Sequence, residues 1–339
     1  MDKQSLTDPM PVTTPASTFS IEPVSGSSTL RGRLPLRRFL QRQPVSPADL
    51  CMPLLVHENE DAADSVVPTV SLQRLSVEVR ELRRMGIGSV KIFCGGSVRD
   101  DRACEAASPD NLMNRAIATA KEAAQDMAVM TENCLCSYTH AGNCFLTNAD
   151  GVFDYEGTLT LLSEQAVQQA DAGADIVGPA AMIDGVAAST RQALNQSGHR
   201  DVGIMPHVIF TSRLYDGYRR AMNAVPARGN RRAFQIHPSC PEQAVALARD
   251  FLAEGADMLL LEPALHSLDV LVSLRQAAEV PLVPFSVSGE YAELTRNGTL
   301  KPSEYRAVLL ERLTMFKRAG ATTIITYAAK QAAGNLEAS

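Results

Sequence analysis

Long apolar runs are absent from this 339-residue sequence. No stretch of 18 or more consecutive apolar residues occurs, and the first residues do not pass from a charged to an apolar segment. A helix needs about 20 apolar residues to cross a bilayer, and a secretory signal needs a charged region followed by an apolar one. The sequence therefore predicts neither a membrane span nor an export signal.

A strong excess of one charge is also lacking. Lysine and arginine total 32, aspartate and glutamate total 38, and the formal net charge is −6. Proteins that bind nucleic acids or membrane surfaces usually carry a basic patch. The interspersed charges of this sequence argue against both kinds of partner.

Lysine is scarce, and the middle of the chain contains none. The six lysines leave positions 122 to 300 without a primary amine on any side chain. They are Lys3, Lys91, Lys121, Lys301, Lys317 and Lys330.

Cysteines number seven, an odd count in a long chain. This is typical of reduced thiols in the cytoplasm rather than of a disulfide framework. We therefore expect a cytoplasmic protein in which a few of the thiols are ligands.

From residue 50 onward, eight short apolar runs alternate with amphipathic segments. The runs cover 50–56, 90–94, 129–136, 174–179, 202–209, 258–263, 282–288 and 323–327. Several of the amphipathic segments end at a glycine, as helices often do. Because each strand-like run feeds a helical pattern, we predict an α/β fold, a closed (β/α)8 TIM barrel over residues 50–339.

The amino-terminal residues do not fit the barrel pattern. Residues 1–29 are rich in Ser, Thr and Pro, and we predict a disordered extension. Residues 30–49 include five arginines among leucines. They predict a solvated basic helix or, alternatively, an arm that packs on a neighbouring subunit.

Three of the cysteines lie close together after the predicted third strand. Cys134 and Cys136 are two residues apart, so their side chains can project to one side, and the following loop can return Cys144 to the same point. Thiolates suit a cation such as Zn²⁺, and three protein ligands leave a fourth position for water or substrate. The pattern predicts a metal site, with core or redox thiols as the alternative.

Polar residues also follow the later predicted strands, where barrel enzymes carry their chemistry. Arg219 and Arg231 could bind a substrate carboxylate or be ordinary surface charges. Glu262 ends the sixth run and should point into the mouth of the barrel. Ser288 and Tyr327 end the seventh and eighth runs, where hydroxyls could bind a second carboxylate or cap helices.

Two histidines are predicted at the same end of the barrel. His207 and His237 could act as acid–base groups because an unperturbed imidazole titrates near neutral pH. The alternative is that each is a loop histidine satisfied by hydrogen bonds.

From about residue 30 to 332, the sequence resembles the porphobilinogen synthase (δ-aminolevulinic acid dehydratase) family. The resemblance rests on blocks that occur in the family's order, at 46–50, 108–112, 173–177, 182–185, 255–258, 287–291 and 316–320. It implies a barrel with an amino-terminal arm and a homo-oligomer, from dimer to octamer, built through residues 30–49. It also implies a small anionic amino or keto acid as substrate.

The resemblance also implies roles for particular residues. Cys134, Cys136 and Cys144 match the catalytic zinc ligands of the family's zinc-using branch. Arg219, Arg231 and Gln235 match residues of the active-site flap. Ser288 and Tyr327 match the pair that binds the carboxylate of the first substrate molecule.

Both lysines that form imines with 5-aminolevulinate in that family are replaced. The matching positions hold Ile209 and Glu262, and a slip of one residue at the first would give Val208 or Phe210. An imine requires a primary amine, which neither isoleucine nor glutamate offers. The sequence therefore predicts that ordinary porphobilinogen synthesis is lost.

We expect instead a divergent, metal-dependent lyase or condensing enzyme that acts on a small amino or keto acid. Glu262, His207 and His237 are its predicted acid–base groups, and Zn²⁺ is its predicted cofactor. One alternative is a non-catalytic homologue that binds a ligand or a partner subunit. A second alternative is true porphobilinogen synthesis by an unusual route.

Overall fold

The computed structural model describes residues 44–59, 67–96, 98–222, 224–225, 234–296 and 300–337. Of the two units into which the chain divides, the second covers Val45–Ala338. The predicted extension 1–29 and the arm up to residue 43 lie outside the described residues. Every described strand and helix belongs to the second unit.

Ten strands, all parallel, form one curved sheet in the described part of the chain. They are β1 (Leu50–His57), β2 (Thr69–Ser71), β3 (Ser89–Cys94), β4 (Ala128–Thr131), β5 (Ile176–Val177), β6 (Gly203–Ile204), β7 (His207–Ile209), β8 (Leu259–Glu262), β9 (Leu282–Ser286) and β10 (Ile324–Thr326). Nine of them follow the order β6-β5-β4-β3-β1-β10-β9-β8-β7, and β2 pairs with β1 beside this path.

The sheet closes through the fifth predicted run, which forms two short strands instead of one. β6 pairs with β5, Ile176 lying opposite Gly203, and β7 pairs with β8, Ile209 lying opposite Glu262. The ladder breaks between them at Pro206, which has no backbone N–H to donate. Because β6 and β7 are successive parts of one segment, the two ends of the sheet meet, and the predicted α/β barrel is confirmed.

Helices follow the strands. The described α-helices are α1 (Leu72–Arg84), α2 (Leu112–Ala123), α3 (Tyr155–Asp171), α4 (Val186–Gln196), α5 (Asp216–Ala221), α6 (Pro241–Ala253), α7 (Leu268–Ala277), α8 (Ser288–Arg296), α9 (Pro302–Ala319) and α10 (Ala329–Glu337). None of these helices is long and apolar enough to cross a membrane.

Four helices end where the sequence predicts a glycine stop. Gly86, Gly173, Gly255 and Gly320 have φ values of 74°, 103°, 100° and 118°. This left-handed backbone is open to glycine at little cost and strained for other residues. These glycines end α1, α3, α6 and α9 and turn the chain back toward the next strand.

The side chains of β3 alternate between the barrel interior and the helical layer. Phe93 lines a cavity at the carboxyl end of the barrel. Lys91, two residues earlier, therefore projects into the interior below Phe93. It is fully buried, which is unusual for a lysine without a charged partner.

Close packing at Gly289 leads to a stability prediction. A Cβ added there would lie 2.5 Å from the Cα of Leu214, and backbone cannot move aside cheaply. Gly289→Ala should lower the free energy of unfolding by about 1–3 kcal/mol through overpacking. The measurement is denaturant unfolding followed by circular dichroism.

Gly334 provides the matched control for this substitution. It lies in α10, is exposed, and an added Cβ would have its nearest neighbour at 4.0 Å. Gly334→Ala should stabilise the helix by about 0.5–1 kcal/mol. Equal effects of the two substitutions would contradict the packing described at Gly289.

Candidate active site

A cluster of three thiols lies at the carboxyl end of β4. The Sγ atoms of Cys134, Cys136 and Cys144 all lie within 4.8 Å of one another. Cys134 and Cys136 are buried, and Cys144 is partly exposed. The loop therefore returns Cys144 to the pair, as the spacing of the three cysteines predicts.

Hydrogen bonds to the neighbouring strand and helix hold the start of this loop. The backbone N–H of Asn133 donates to the carbonyl of Gly178 (2.8 Å). Its side-chain amide donates to the carbonyl of Leu162 and to Oε1 of Gln165, both at 2.9 Å. Because both ends of Asn133 are fixed, the first two thiols have a defined direction.

The chemistry of the thiols fits a bound cation. Hydrogen bonds to Cys136 and Cys144, together with burial, raise the pKa of the Cys134 thiol well above its usual value. Three sulfurs so close cannot all ionise without a compensating positive charge. A cation such as Zn²⁺ would supply that charge, and thiolates are among its preferred ligands.

A pocket at this end of the barrel brings most of the predicted site residues together. Its lining includes Cys134, Cys136, Cys144, Ile209, Arg219, Gln235, Glu262, Ser288 and Tyr327. Aromatic rings of Phe93, Phe234 and Phe285 provide apolar walls. The combination of apolar walls with few convergent polar groups is typical of a small-molecule site.

Two other predicted residues do not line the pocket. His207 lies inside the barrel and is buried. His237 is exposed, and its Nδ1 lies 2.7 Å from the hydroxyl of Ser239, so the structure does not bring it to the pocket. Arg231 lies outside the described residues.

Glu262 is an acid in a largely water-free position. It is 7% exposed, and its Oε1 lies 3.1 Å from Nδ1 of His207. Burial raises the pKa of the Glu262 carboxyl to about 7, although the positive charges of Lys91 and Arg219 oppose this rise. A carboxyl that titrates near neutral pH is suited to proton transfer.

Glu132 is a second acid of the pocket, and the sequence alone did not identify it as a site residue. Its Oε2 accepts a hydrogen bond of 2.7 Å from the hydroxyl of Tyr218. Desolvation, and after it the neighbouring Cys136, raise the pKa of Glu132 to about 8, although the bond from Tyr218 and the charge of Lys91 oppose this rise.

Arg219 supplies positive charge to the pocket. It lies on α5, is 5% exposed, and its guanidinium stacks 5.2 Å from the ring centre of Tyr215. An ion pair of 3.5 Å joins it to Asp216 on the same short helix. The buried guanidinium favours an anionic ligand in the pocket.

Two uncharged polar groups of the pocket have spare hydrogen-bonding capacity. The hydroxyl of Tyr327 and Oε1 of Gln235 are buried, and neither has a hydrogen-bond partner among the described residues. Buried polar atoms are normally paired, so these atoms are free to bind a ligand.

The hydroxyl of Ser288 is already engaged in hydrogen bonds within the protein. It donates to the carbonyl of Leu214 (2.9 Å) and accepts from the backbone N–H of Tyr218 (3.0 Å). Ser288 therefore connects the start of α8 to the turn that carries α5, although its side chain still lines the pocket.

The fold and the site together define the class of protein as an α/β-barrel enzyme. The barrel is closed and parallel, and a thiol cluster, a buried acid and a buried arginine lie at the carboxyl ends of its strands. Active sites of α/β-barrel enzymes lie at this face. Comparison with known protein families then identifies the family within this class. Residues 27–335 match the family model of delta-aminolevulinic acid dehydratase, and the chain belongs to that enzyme family.

Individual relatives cover nearly the whole chain. The delta-aminolevulinic acid dehydratase of Bacillus subtilis (strain 168) is 36% identical over 313 residues, which are 90% of this chain and 95% of that protein. The dehydratase of Methanothermobacter thermautotrophicus is 36% identical over 323 residues, which are 92% of this chain and 97% of that one.

A solved structure of the family has the same fold. Delta-aminolevulinic acid dehydratase (porphobilinogen synthase) of Toxoplasma gondii ME49, in complex with the reaction product porphobilinogen, superposes with a TM-score of 0.85. The two chains are 32% identical, and the match covers 91% of each. The resemblance drawn from sequence motifs is thus confirmed at the level of the family and the fold.

The hydrogen bonds of Ser288 lead to a second stability prediction. Ser288→Ala leaves the N–H of Tyr218 without its acceptor, whereas the carbonyl of Leu214 keeps the hydrogen bond that it accepts from the N–H of Gly289. An unsatisfied buried group costs about 1–3 kcal/mol. The free energy of unfolding should fall by at least the lower figure. The measurement is denaturant unfolding.

Ser273 on α7 is the control, because its exposed hydroxyl bonds only to the carbonyl of Asp269 on the same helix. Ser273→Ala should change stability by less than about 0.5 kcal/mol. If Ser288→Ala is equally mild, the hydroxyl does not hold the turn.

Proposed function

We propose that this chain is a metal-dependent condensing enzyme that joins two molecules of 5-aminolevulinate into porphobilinogen. One observation carries the proposal: the three-thiol cluster shares a pocket with a buried acid and a buried arginine. The match to the dehydratase family over residues 27–335 supports this reaction over the divergent one expected from the replaced lysines.

The reaction balances without an imine on the protein. The amine of one 5-aminolevulinate attacks the ketone carbon of the other, and a carbon next to that attacked ketone forms a bond to the ketone carbon of the amine donor. Two molecules of water leave, and loss of protons from carbon and nitrogen gives the aromatic pyrrole. The protein must bind two carboxylates, polarise a carbonyl and move protons at carbon.

Different residues of the pocket carry out these three tasks. Arg219 binds a carboxylate by charge, and the free hydroxyl of Tyr327 and amide oxygen of Gln235 supply further hydrogen-bonding groups. The Glu262 carboxylate takes the proton from carbon. Cys134, Cys136 and Cys144 would hold Zn²⁺, which when bound polarises a carbonyl or lowers the pKa of water.

A second candidate is a related condensation or dehydration of a different keto acid. The favouring observation is that Ile209 and Glu262 both line the pocket, whereas no lysine does among the described residues. If these positions replace imine-forming lysines, as the resemblance implies, then the protein offers no amine to capture a ketone there.

Assembly and location are also proposals. We propose a homo-oligomer formed through residues 30–49, of which the structure describes 44–49, and a cytoplasmic location. Light scattering of the full chain and of a chain without residues 1–43 would test the role of the arm.

Incubation with 5-aminolevulinate and colorimetric detection of the pyrrole tests the proposed reaction. The purified chain with Zn²⁺ should form porphobilinogen, and Glu262→Gln should lower the rate by at least about 100-fold because a positioned base contributes that much. No pyrrole from the wild-type chain would reject this reaction. Turnover of another keto acid would then support the second candidate, and failure with a panel of such acids would support a non-catalytic homologue.

Metal binding has its own prediction. Zn²⁺ should bind at one ion per chain, and Cys134→Ala should weaken binding by at least about tenfold because a ligand is lost. Competition with a chromophoric chelator measures both. Cys104→Ser is the control, since Cys104 is exposed and lies outside the cluster. Equal affinity of the two variants would contradict a thiolate site.

The raised pKa of Glu262 predicts a pH dependence of rate. Only the ionised carboxylate accepts a proton, so the rate should increase as pH rises through about 7. The measurement is the rate between pH 5 and 9 at saturating substrate. The free energy of unfolding should instead decrease as pH rises, because the folded chain keeps a proton on Glu262 that the unfolded chain releases near pH 4.5.

The Glu262→Gln variant distinguishes the pH dependence caused by Glu262 from that caused by other titrating groups. The Glu262 contribution lowers the free energy of unfolding between about pH 4.5 and 7, and the variant should lack that decline. Parallel unfolding curves for the two chains across this range would show that the Glu262 carboxyl is not perturbed.

A further inference from the structure

Three buried side chains, a lysine, a histidine and a glutamate, lie one after another in space between the barrel interior and the pocket. Lys91 is on β3, His207 on β7 and Glu262 on β8, and all three are buried. Of these, only Glu262 lines the pocket. His207 therefore lies between the amine of Lys91 in the core and the carboxyl of Glu262 in the pocket.

The amine of Lys91 and the imidazole of His207 both lie close to one glycine. A Cβ added at Gly178 would be 2.9 Å from Nζ of Lys91 and 3.1 Å from Nε2 of His207. It would also be 2.6 Å from the carbonyl oxygen of Thr131, to which Lys91 donates a hydrogen bond of 2.6 Å. The absence of a side chain at Gly178 therefore allows Lys91 and His207 to lie close together.

Electrostatics determine which nitrogen of His207 carries the proton. Burial and the charge of Lys91 lower the pKa of His207 well below its usual value, so the ring is neutral. An ammonium group near Nε2 favours the lone pair on that atom, and Nε2 has no hydrogen-bond partner among the described residues. The proton then lies on Nδ1, which faces Oε1 of Glu262 at 3.1 Å.

We infer that Lys91 is a positioning residue that acts through His207 to hold the Glu262 carboxylate in one orientation, with its second oxygen available to the pocket. The role of Glu262 as the base rests on the proposed function, but the positions of the protons do not require turnover. Lys91 itself touches no substrate, because it lies below the pocket.

Several other groups also act on Glu262. Those that face it or interact with it electrostatically are Lys91, His207, Glu132, Arg219, Tyr215 and Tyr327. Lys91 and Arg219 are the cations that lower the pKa of Glu262, and Lys91 has the larger effect. Burial lowers the pKa of Lys91 to about 8, so its amine is largely protonated at neutral pH.

Loss of the ammonium should change both partners together. Without it, Glu262 keeps its proton to higher pH and donates it to Nδ1, so the imidazole proton moves to Nε2. Lys91→Met keeps the length of the side chain and removes the charge. Lys91→Gln also removes the charge but retains a donor for the carbonyl of Thr131, so it separates charge from the lost hydrogen bond.

The experiment is NMR of the full chain labelled with ¹⁵N-histidine, with His207 assigned by its absence in His207→Gln. At neutral pH the wild type should carry the proton on Nδ1, and the ratio of the two neutral tautomers should fall about tenfold in both Lys91 variants. Lys121→Met is the control, because Lys121 pairs with Asp175 outside the site.

A second measurement follows the Glu262 carboxyl by infrared spectroscopy, with Glu262→Gln as the blank. Its titration midpoint should rise by about one pH unit in Lys91→Met, a tenfold change in the ionisation constant. An unchanged tautomer ratio and midpoint would overturn the inference, even if the enzyme forms porphobilinogen. Changed spectra without turnover would sustain the inference and reject the proposed function. Borohydride trapping of 5-aminolevulinate on Lys91 would also overturn it, since Lys91 would then touch substrate.

Discussion

Closure of the parallel sheet is the constraint on which the site depends. The fifth segment divides at Pro206, so that one part pairs with β5 and the other with β8. The two parts together complete the ring between those neighbours. Closure brings the ends of β4, β7, β8 and β10 around one pocket, although they are far apart in the sequence.

Charge compensation inside the ring is the second determinant. A fully buried lysine is costly unless carboxylates lie nearby, and Glu132 and Glu262 raise the pKa of Lys91 by their charges. The same lysine lowers the pKa of both acids. The pKa values of Lys91, Glu132 and Glu262 therefore depend on one another, and the protonation state of one cannot be assigned without the other two.

The barrel could be predicted from the sequence because its signals are local. Apolar runs and glycine stops recur along the chain, and the positive φ at Gly86, Gly173, Gly255 and Gly320 matches that pattern. The three-residue strand β2 and the six-residue helix α5 are too short to show a period, so tertiary pairing determines them. The thiol cluster was predictable because its members are near in sequence.

Long-range contacts could not be predicted in this way. Nothing local marks the hydroxyl of Ser288 as a link to Leu214, 74 residues away. Lys91 looks like an isolated lysine in an apolar strand, and only the folded barrel places it near His207 and Glu262. No lysine occurs between positions 122 and 300, where the expected imine positions lie, and only the fold shows that Lys91 lies below them.

The buried amine also limits how this site can change. Glu262→Lys, which would restore the residue expected from the family resemblance, would place two ammonium groups in one compartment without water. Their repulsion would favour loss of a proton from one of them or displacement of a strand. Residues 91 and 262 are thus epistatic: the acceptable amino acid at either position depends on the charge at the other, and recovery of a pocket lysine requires two substitutions in concert.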